Sequence, residues 1–479
     1  MSSLSHVVLG IDLGTTAAKV IAFDPEVGRV VASSGRDYPT TATVDGGSEQ
    51  NPADWWAAVT TACQEVLKTI PANRIAAVGL SGHMHGLLLL DEAMEPVRPA
   101  MTWSDRRVGE FTAKLSNYTI FRELGGNDVV DAFTAPKLLW LSATEPENLA
   151  KASHLVMAKD YLRFLLTGLL GTDYTDAIGT LLWDVKKGAW SDQMFELCGS
   201  SSTIAPDAVG STTAHGSITH AAAKETGLLA GTPVVAGAGD VSAVALGAGL
   251  VNSSIVCLNV GTAAQALGAV SDLDAGSGFL FGNSLETGYL AMSSVYAAGA
   301  SVRWAERVLL SSQPIEDVAR ESSPGSEGLT YLPYMFGAVV PRKNDSVRAA
   351  FIGQTSGHTP AHLASAVLEG VAFACADAVE AIGELVGQPA TVHVVGGVAN
   401  SATWRSALSS VLDCPVVRIP EGGSAVGAAL LAAIGVGMSS PVNALESLAK
   451  EQVHKPTDDA RASYLDAQGR FRAARDLLV

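Results

Sequence analysis

Cysteine is scarce in this sequence. Its 479 residues include five, an odd number, and no two lie close enough along the chain to suggest a zinc site or a redox pair. We therefore predict reduced and mostly buried thiols. The five are Cys63, Cys198, Cys257, Cys375 and Cys414.

Basic residues are also few. The chain has 31 Lys and Arg against 48 Asp and Glu, a formal charge of −17, and no basic stretch interrupts the acidic surplus. We therefore expect neither a nucleic-acid partner nor a membrane partner. A protein this acidic must bind phosphate groups locally, through backbone amides, a magnesium ion or single cations.

Long apolar runs are missing too. The most apolar stretch, residues 425–436, is shorter than the ~20 residues that a membrane helix requires, and glycine interrupts it. The first residues form a short polar run that leads directly into a strand pattern, without the basic and apolar segments of a secretory signal. The expected location is the cytoplasm.

The sequence does have length and material for a core. A chain of this size exceeds the ~250–300 residues at which one core usually divides, and 48% of its residues are hydrophobic, which suits a well-buried protein. We predict an α/β fold of two domains, residues 1–245 and 246–479, with room for a cleft between them.

Strand and helix patterns alternate along the chain. The opening segment predicts a meander of three strands, followed by a helix over 51–70 and a buried strand with the sequence IAAVGLSG. Residues 127–170 are predicted to be mainly helical, and residues 200–220 to be loop. A Gly-Thr hairpin near 254–270, a helix over 359–386 and the strand ATVHVVGG then predict a second half built like the first.

The segment IDLGTT, residues 11–16, carries the first candidate site. Gly14 permits a sharp turn and a close approach of backbone N–H groups to an anion, and Thr15 and Thr16 add hydroxyl donors. Asp12 can hold a magnesium ion through water. These features suit the phosphates of a nucleotide, although an ordinary hairpin with an Asp-initiated turn explains so short a motif equally well.

A second Gly-Thr turn, LNVGTA, contains Gly261 and Thr262. One such hairpin is common, but two, each opening one half of the chain, predict a pair of phosphate clamps. Gly396 and Gly397 lie where a predicted strand gives way to a helix. Because ligands of open α/β sheets bind at the carboxyl ends of strands, this turn is a candidate nucleotide contact.

The apolar segment VVAGAGD ends on Asp240, after Gly237 and Gly239. A carboxylate at such a strand end faces a crevice more often than a core, and it can then accept the proton of a substrate hydroxyl. The same residue could instead cap a helix that starts at Val241. The segment alone leaves both interpretations open.

Polar residues cluster in two nearby segments, SGHMHG and WSDRR. His83 and His85 follow a buried strand and could form hydrogen bonds with sugar hydroxyls, and Trp103, Asp105 and Arg106 come shortly after. A polar cluster with one aromatic side chain suits a carbohydrate. A metal site would need a third ligand that is not obvious in the sequence, and a buried histidine with internal hydrogen bonds is the remaining alternative.

Together these segments resemble a known family, the sugar kinases that share the ribonuclease H-like fold of actin, hexokinase and the heat-shock chaperone ATPases. Within it they resemble the FGGY carbohydrate kinases of the xylulokinase type, over nearly the whole chain. The resemblance implies two ribonuclease H-like domains flanking a central cleft. It is carried by DLGTT, NVGTA, VVGGVANS, SGHMHG, WSDRR, FTAPKLLW and GAGD, and by residues 349–369.

The resemblance also implies roles for individual residues. Asp240 would take the proton from the O5 hydroxyl of a ketopentose, with ATP and Mg²⁺ as cofactors. D-Xylulose is the substrate that the resemblance implies first, and a homodimer is the implied assembly. The implied sugar contacts are Met84, His85, Trp103, Asp105 and Asp240; the nucleotide contacts are Gly14, Thr15, Thr16, Gly261, Thr262, Gly396, Gly397 and Asn400; the metal contact is Asp12.

Three positions depart from the xylulokinase pattern. His83 stands where Gln is usual, Ser104 where Asn is usual, and Ala263 where Ser commonly completes the second phosphate loop. The first two fall in the predicted sugar site, so D-ribulose, another ketose or a polyol stays open as the substrate. A non-catalytic sugar-binding homologue and a chaperone-like ATPase are alternatives; Asp240 argues against the first, and SGHMHG and WSDRR have no role in the second.

Overall fold

The computed structural model describes residues 6–451 and 458–479. The polar run at residues 1–5, which belongs to the argument against a secretory signal, lies outside the described residues. Two compact units make up the chain. Unit 1 comprises Met1–Gly247, Leu280–Tyr289 and Gly423–Leu448, and unit 2 comprises Ala248–Phe279, Leu290–Gly422 and Ala449–Val479. The sequence predicts two domains, 1–245 for sugar binding and the first phosphate loop and 246–479 for the second phosphate loop and adenosine binding, and this division stays a prediction.

The strands are β1 (Val7–Leu13), β2 (Ala17–Asp24), β3 (Arg29–Asp37), β4 (Thr41–Ala42), β5 (Ser48–Gln50), β6 (Ile75–Gly82), β7 (Leu88–Leu90), β8 (Ala100–Met101), β9 (His154–Val156), β10 (Thr172–Asp173), β11 (Trp183–Asp184), β12 (Ala189–Trp190), β13 (Ala208–Val209), β14 (Ala214–Ser217), β15 (Pro233–Val235), β16 (Ala238–Gly239), β17 (Ile255–Val260), β18 (Ala264–Val270), β19 (Phe279–Gly282), β20 (Tyr289–Val295), β21 (Thr330–Leu332), β22 (Ala350–Ile352), β23 (Thr391–Val395) and β24 (Val416–Arg418).

The α-helices are α1 (Pro52–Leu67), α2 (Gly109–Leu115), α3 (Ile120–Gly125), α4 (Thr134–Thr144), α5 (Pro146–Lys151), α6 (Ala158–Thr167), α7 (Tyr174–Gly179), α8 (Asp192–Leu197), α9 (His220–Thr226), α10 (Asp240–Gly247), α11 (Gly299–Val308), α12 (Ile315–Ala319), α13 (Pro360–Val386), α14 (Ala402–Leu412), α15 (Ser424–Gly435), α16 (Pro441–Glu446) and α17 (Asp458–Leu478). Across residues 6–451 and 458–479, none of them combines the length and apolarity needed to span a bilayer.

These elements confirm the predicted alternation of strands and helices. The opening meander is β1, β2 and β3, the helix predicted over 51–70 is α1, and the helix predicted over 359–386 is α13. Helix α1 begins where the sequence signals a start, because the Asn51 side chain accepts the N–H of Ala53 and Pro52 takes the first helical position.

Unit 1 is built on a seven-stranded sheet in the order β14-β15-β6-β1-β2-β3, with β16 also paired to β6. β1 and β2 are antiparallel, whereas β6 pairs in parallel with β1. Apolar side chains cover both faces. One core lies between the sheet and helices α1 and α6, and the other lies under α10 and α15. The unit is therefore a sheet with helices on both sides, as an α/β pattern predicts.

Two glycines let helix α15 lie directly on the sheet. A Cβ atom at Gly10 of β1 would come 2.1 Å from the carbonyl oxygen of Ala425, and one at Gly79 of β6 would come 1.9 Å from that of Ala428. Real Cβ atoms do not approach backbone oxygens this closely, so no larger residue fits without moving the helix.

We expect Gly79→Ala to lower the free energy of unfolding by about 1–3 kcal/mol, the usual cost of overpacking a filled core. Urea denaturation followed by circular dichroism measures it. Gly35→Ala is the matched control, because Gly35 lies in the same sheet and its Cβ would make an ordinary contact of 3.7 Å. Equal stability of the two variants would contradict the close packing of α15.

Unit 2 repeats the logic of unit 1. β17 and β18 form the predicted Gly-Thr hairpin, β23 pairs in parallel with β17, and the strands follow one another in the order β20-β18-β17-β23-β24. The long helix α13 packs against β18 and α14. Each unit thus holds a hairpin whose first strand pairs in parallel with a later strand.

Candidate active site

The carboxyl ends of three strands meet at one edge of the sheet in unit 1. β6 pairs in parallel with β1, with Asp12 opposite Ser81, and with β16, with Gly239 opposite Gly82. Parallel strands end at the same edge of a sheet, and Asp240 follows β16 directly. The structure therefore brings the first predicted phosphate loop, the predicted base and the SGHMHG segment to one edge.

Asp240 is the partly buried first residue of α10. Its Oδ1 accepts the N–H of Val241, the next residue, at 2.9 Å, whereas a capping side chain accepts an N–H from the second or third residue after it. Burial, and then the negative charge of Asp12, raises the pKa of Asp240 to about 7. A carboxylate with such a pKa is a much better proton acceptor than an ordinary Asp, as a general base requires.

The two glycines before Asp240 are both closely packed, Gly237 against backbone and Gly239 against the Met84 side chain. Gly237 has φ +81°, and a Cβ there would lie 2.2 Å from the carbonyl oxygen of Leu80. A Cβ on Gly239 would lie 2.5 Å from Sδ of Met84. The GAGD sequence thus lets the chain approach β6 closely before it enters the helix.

Asp12 is the second carboxylate at this edge. Its Oδ2 accepts the hydroxyl of Ser424 at 2.6 Å, and among the described residues its buried Oδ1 has no hydrogen-bond partner. Burial raises the pKa of Asp12, although the bond from Ser424, the neighbouring Ser81 hydroxyl and the charge of Lys19 act in the opposite direction. An oxygen left without a donor suits a cation.

Two residues that the sequence did not single out, Tyr38 and Gln50, donate hydrogen bonds to the backbone of the loop after β1, the first predicted phosphate loop. The carbonyl of Gly14 accepts the hydroxyl of Tyr38, that of Thr15 accepts Nε2 of Gln50 at 2.6 Å, and that of Thr16 accepts the N–H of Tyr38 at 3.1 Å. In a trans peptide the N–H points opposite to the C=O. The N–H groups of Thr15 and Thr16 therefore point away from Tyr38 and Gln50, the arrangement that an anion-binding turn needs.

His85 has the clearest ligand-binding geometry in the SGHMHG segment. Its backbone has φ +67°, and its Nδ1 lies 2.6 Å from the carbonyl oxygen of Gly179. Burial lowers its pKa to about 4, so the ring is neutral. The carbonyl can only accept, which assigns the proton to Nδ1 and leaves Nε2 as an acceptor for a hydroxyl. The rings of Phe133 and Phe281 lie 5.0 and 5.7 Å away.

The other predicted sugar contacts differ in exposure. Met84 is 2% exposed and lies against Gly239 and Gly179. Trp103 is 41% exposed, and its Nε1 donates to the Thr15 hydroxyl at 3.0 Å.

Asp105 is fully buried, and both its oxygens accept protein donors. Oδ2 accepts the N–H of Ser48 at 3.0 Å, and both oxygens accept from the guanidinium of Arg107. Its predicted sugar contact stays a prediction, and the interactions observed are those that hold the WSDRR turn.

The two unusual residues of this region lie beside it. His83 is buried against Trp55, with ring centroids 5.5 Å apart, and within the described part of the chain neither ring nitrogen has a hydrogen-bond partner. Burial lowers its pKa to about 4. The Ser104 hydroxyl lies 3.0 Å from the hydroxyls of Thr102 and Ser48.

The second predicted phosphate loop lies in unit 2 at the start of helix α11. The carbonyl oxygens of Gly261 and Thr262 accept the N–H groups of Gly299 and Ala300, each at 3.0 Å. Nη2 of Arg303 donates to the Thr262 hydroxyl at 2.9 Å. Arg303 is a cation beside this loop that sequence reasoning missed, because it lies 41 residues away in an amphipathic helix.

The predicted adenosine segment adjoins the same loop within unit 2. Gly396 follows β23 with φ +98°, and a Cβ there would lie 2.5 Å from the carbonyl oxygen of Val260. Gly397 has open space where its Cβ would stand, and Asn400 is exposed. The structure thus brings together residues 260–262 and 396–400, which lie far apart in sequence.

The residues present fit a magnesium ion bound largely through water and phosphate. Over residues 6–451 and 458–479, no three His, Cys, Asp or Glu side chains gather as a metal site. Mg²⁺ in phosphotransferases commonly takes one or two carboxylates, with water and substrate phosphates completing the shell. The unpartnered Oδ1 of Asp12, with Asp240 nearby, supplies that kind of donor set.

Comparison with protein families matches both units. The N-terminal domain of the FGGY family of carbohydrate kinases matches residues 7–247, and its C-terminal domain matches residues 260–436. The xylulose kinase of Escherichia coli (strain K12) is 34% identical over 479 residues, which cover 97% of each chain.

Solved structures give the same picture of the fold. A ligand-bound xylulose kinase from Lactobacillus acidophilus has a TM-score of 0.90 at 26% identity, covering 99% of this chain and 98% of that one. A gluconate kinase from the same organism has a TM-score of 0.89 at 26% identity, with the same coverage. These matches confirm the predicted fold class of two actin- and hexokinase-like domains. Kinases named for xylulose and for gluconate therefore share this fold and are equally similar in sequence to the present chain.

Proposed function

Because the chain belongs to the FGGY family of carbohydrate kinases, we propose that it transfers the terminal phosphoryl group of ATP to D-xylulose, giving D-xylulose 5-phosphate. The observation that carries the chemistry is the meeting of Asp12, Asp240 and His85 at one edge of the sheet, where burial and the charge of Asp12 also raise the pKa of Asp240 to about 7. The choice of D-xylulose as substrate rests on the similarity to the xylulose kinase of Escherichia coli, which extends over nearly the full length of both chains.

Asp240 is the proposed base. As the O5 oxygen attacks the terminal phosphorus, its O–H bond breaks and the proton passes to the Asp240 carboxylate, while the bond between the β and γ phosphates breaks and ADP leaves. Charge neutralisation and in-line positioning supply most of the rate in such transfers, and the base assists.

The other residues bind and orient. Asp12 is the proposed holder of Mg²⁺, which when bound neutralises phosphate charge. Gly14, Thr15 and Thr16 are proposed to hold one set of phosphate oxygens, and Gly261 and Thr262 another. The proposed adenosine contacts are Gly396, Gly397 and Asn400, and the proposed sugar contacts are Met84, His85, Trp103 and Asp105.

His85 would accept a sugar hydroxyl at Nε2, because its Nδ1 proton is already donated to Gly179. Trp103 combines an exposed aromatic face with a bond to the first phosphate loop. A homodimeric assembly, a cytoplasmic location and the lack of a nucleic-acid partner stay predictions of the sequence.

A substrate panel tests the proposal. D-Xylulose, D-ribulose, a ketohexose, glycerol and gluconate are each supplied with Mg-ATP, and kcat/KM is compared in a coupled ADP-release assay. We expect D-xylulose to lead by at least about tenfold, since one misplaced hydroxyl leaves buried polar groups unpaired. A lead by another sugar would replace the substrate and leave the kinase assignment intact, whereas ADP release indifferent to every sugar would refute the kinase assignment.

A further inference from the structure

Unit 1 contains a fully buried group of charged side chains that has no role in the phosphoryl transfer proposed for this chain. It consists of Lys159, Asp160, Arg163, Asp173 and Asp176, which we call the Lys159 cluster, and no member is more than 1% exposed. The Lys159 ammonium lies 2.6 Å from Asp160, 2.8 Å from Asp173 and 2.9 Å from Asp176. Arg163 lies 3.4 Å from Asp160.

The protonation of the cluster follows from its charges. Three carboxylates face two cations, and burial together with the neighbouring carboxylates raises the pKa of Asp176 to about 8, against the opposing pull of Lys159. Burial acts on Asp173 as well, but its ion pair with Lys159 and its hydrogen bonds outweigh burial and lower its pKa. At neutral pH, Asp173 is therefore an ionised acceptor.

An ionised Asp173 fixes the direction of a short chain of hydrogen bonds. The Thr175 hydroxyl must donate to Oδ2 of Asp173, 2.7 Å away, because a carboxylate can only accept. The lone pairs of the same hydroxyl then accept the N–H of Gly239 at 2.8 Å. Gly239 immediately precedes Asp240, so the chain runs from the cluster to the residue before the proposed base.

Two further contacts tie the cluster to the same strand end. Arg163 donates to the carbonyl oxygen of Ala236 at 3.0 Å. Ser211 donates its hydroxyl to Asp173 at 2.8 Å, and its carbonyl oxygen accepts the N–H of Gly237 at 2.9 Å. The backbone at 236, 237 and 239 is thus held at three points by residues that touch the cluster.

We propose that Thr175, oriented by Asp173, is a positioning residue for phosphoryl transfer, fixing the backbone from which Asp240 emerges. The inference rests on the proposed function, since it assigns a role relative to the proposed base. Thr175 itself is fully buried and acts through Gly239. A shift of about 1 Å in a reacting group is enough to slow a reaction about 100-fold.

The test is Thr175→Val, which keeps the shape of the side chain and removes its hydroxyl. We expect kcat for sugar phosphorylation to fall by about 10- to 100-fold, with KM for the sugar changed less than about threefold. Thr175→Ser, which restores the hydroxyl, should recover kcat to within about threefold of the native enzyme. Assays are run well below the melting temperature of each variant.

Thr226→Val is the matched control. Thr226 is also fully buried, and its hydroxyl also donates to an oxygen, the carbonyl of Ala222, and accepts a backbone N–H, that of Leu228. The Thr226→Val variant should be less stable than the native enzyme but keep the native kcat. Thr175→Ala gives a second measurement if Thr175→Val does not fold, because it removes the hydroxyl without placing a methyl group against Gly239.

The outcomes separate the two proposals. Native kcat in Thr175→Val or Thr175→Ala, alongside an inactive Asp240→Asn, would overturn the positioning role and leave the base assignment standing. A kcat of Asp240→Asn within about threefold of the native value would refute the proposed base, and with it the positioning role of Thr175. Equal losses of kcat in Thr175→Val and Thr226→Val would reduce the effect to general destabilisation and also overturn the inference.

Discussion

Asp240→Asn should lower kcat for sugar phosphorylation by about 100- to 10,000-fold, the range that a general base contributes. An amide retains the shape of the side chain but cannot take up the hydroxyl proton. The residual rate would come from positioning and charge neutralisation. A kcat within about threefold of the native value would refute the assignment.

The same substitution should stabilise the protein, with a defined pH dependence. The folded pKa of Asp240 is about 7, above the ~3.9 of an unfolded Asp. The folded state therefore binds the extra proton between these values, and stability falls as pH rises through that window. Asn cannot ionise and so avoids the destabilisation caused by a buried charge. We therefore expect Asp240→Asn to raise the free energy of unfolding by about 1–3 kcal/mol at pH 8, after allowing for partial exposure, and not to change it below about pH 4.

Two measurements check the stability and the pH dependence. Thermal unfolding of both proteins without ligand at pH 4 and pH 8 gives the gain in stability. The kcat/KM of the native enzyme should decline as pH falls below about 7, because the base becomes protonated. Asp192→Asn is the control. Asp192 also begins a helix, α8, but is exposed, so its substitution should leave kcat unchanged and give no stabilisation at pH 8.

Lys159→Met should cost about 3–5 kcal/mol of unfolding free energy, because it leaves buried carboxylates without their ammonium partner. The loss should be smaller at pH 5 than at pH 8, since the carboxylates can then take up protons. Urea denaturation at both pH values measures the difference.

Lys187→Met serves as the comparison for this variant. Lys187 also pairs with an aspartate, Asp184, at 3.6 Å, but its side chain is 79% exposed. Exposed pairs contribute at most about 1 kcal/mol. If the two variants lost similar amounts of stability, the buried ion pairs of Lys159 would contribute no more to the free energy of unfolding than an exposed pair does.

The sequence predicted local elements well because each carries its own signal. The β1–β2 hairpin follows from two apolar runs around Gly14, and α1 follows from Asn51 and Pro52. Asp240 at a strand end before a helix was likewise readable, since an apolar run leads through Gly237 and Gly239 to a carboxylate.

Features that depend on distant contacts could not be predicted from the sequence. Gln50 supports the first phosphate loop from 35 residues away, and no local pattern distinguishes it from a surface glutamine. Lys159 lies at a position where a helix normally places a solvated charge. Its burial depends on Asp173 and Asp176, which themselves look like turn residues. The available signal for a buried ion pair was the occurrence of the segments KD and TDYTD in an apolar context.

Asp105 illustrates a different limit. Its residue type and neighbourhood suit a sugar ligand, yet the carboxylate is surrounded by donors from Ser48 and Arg107. Sequence identifies which side chains can form a hydrogen bond, whereas only the packed chain decides which donors reach them.

The close seat of α15 on the sheet has a consequence for synthesis on the ribosome. The segment Gly423–Leu448 completes unit 1 but is translated after most of unit 2. At ~5–20 residues per second, roughly 10–35 s pass between the emergence of residue 247 and that of residue 423. During that interval the apolar face around Val8, Phe23 and Ala77 has no α15 to cover it. The nascent chain should therefore bind holdase chaperones late in translation, and shortening it before residue 423 should leave a first unit that aggregates.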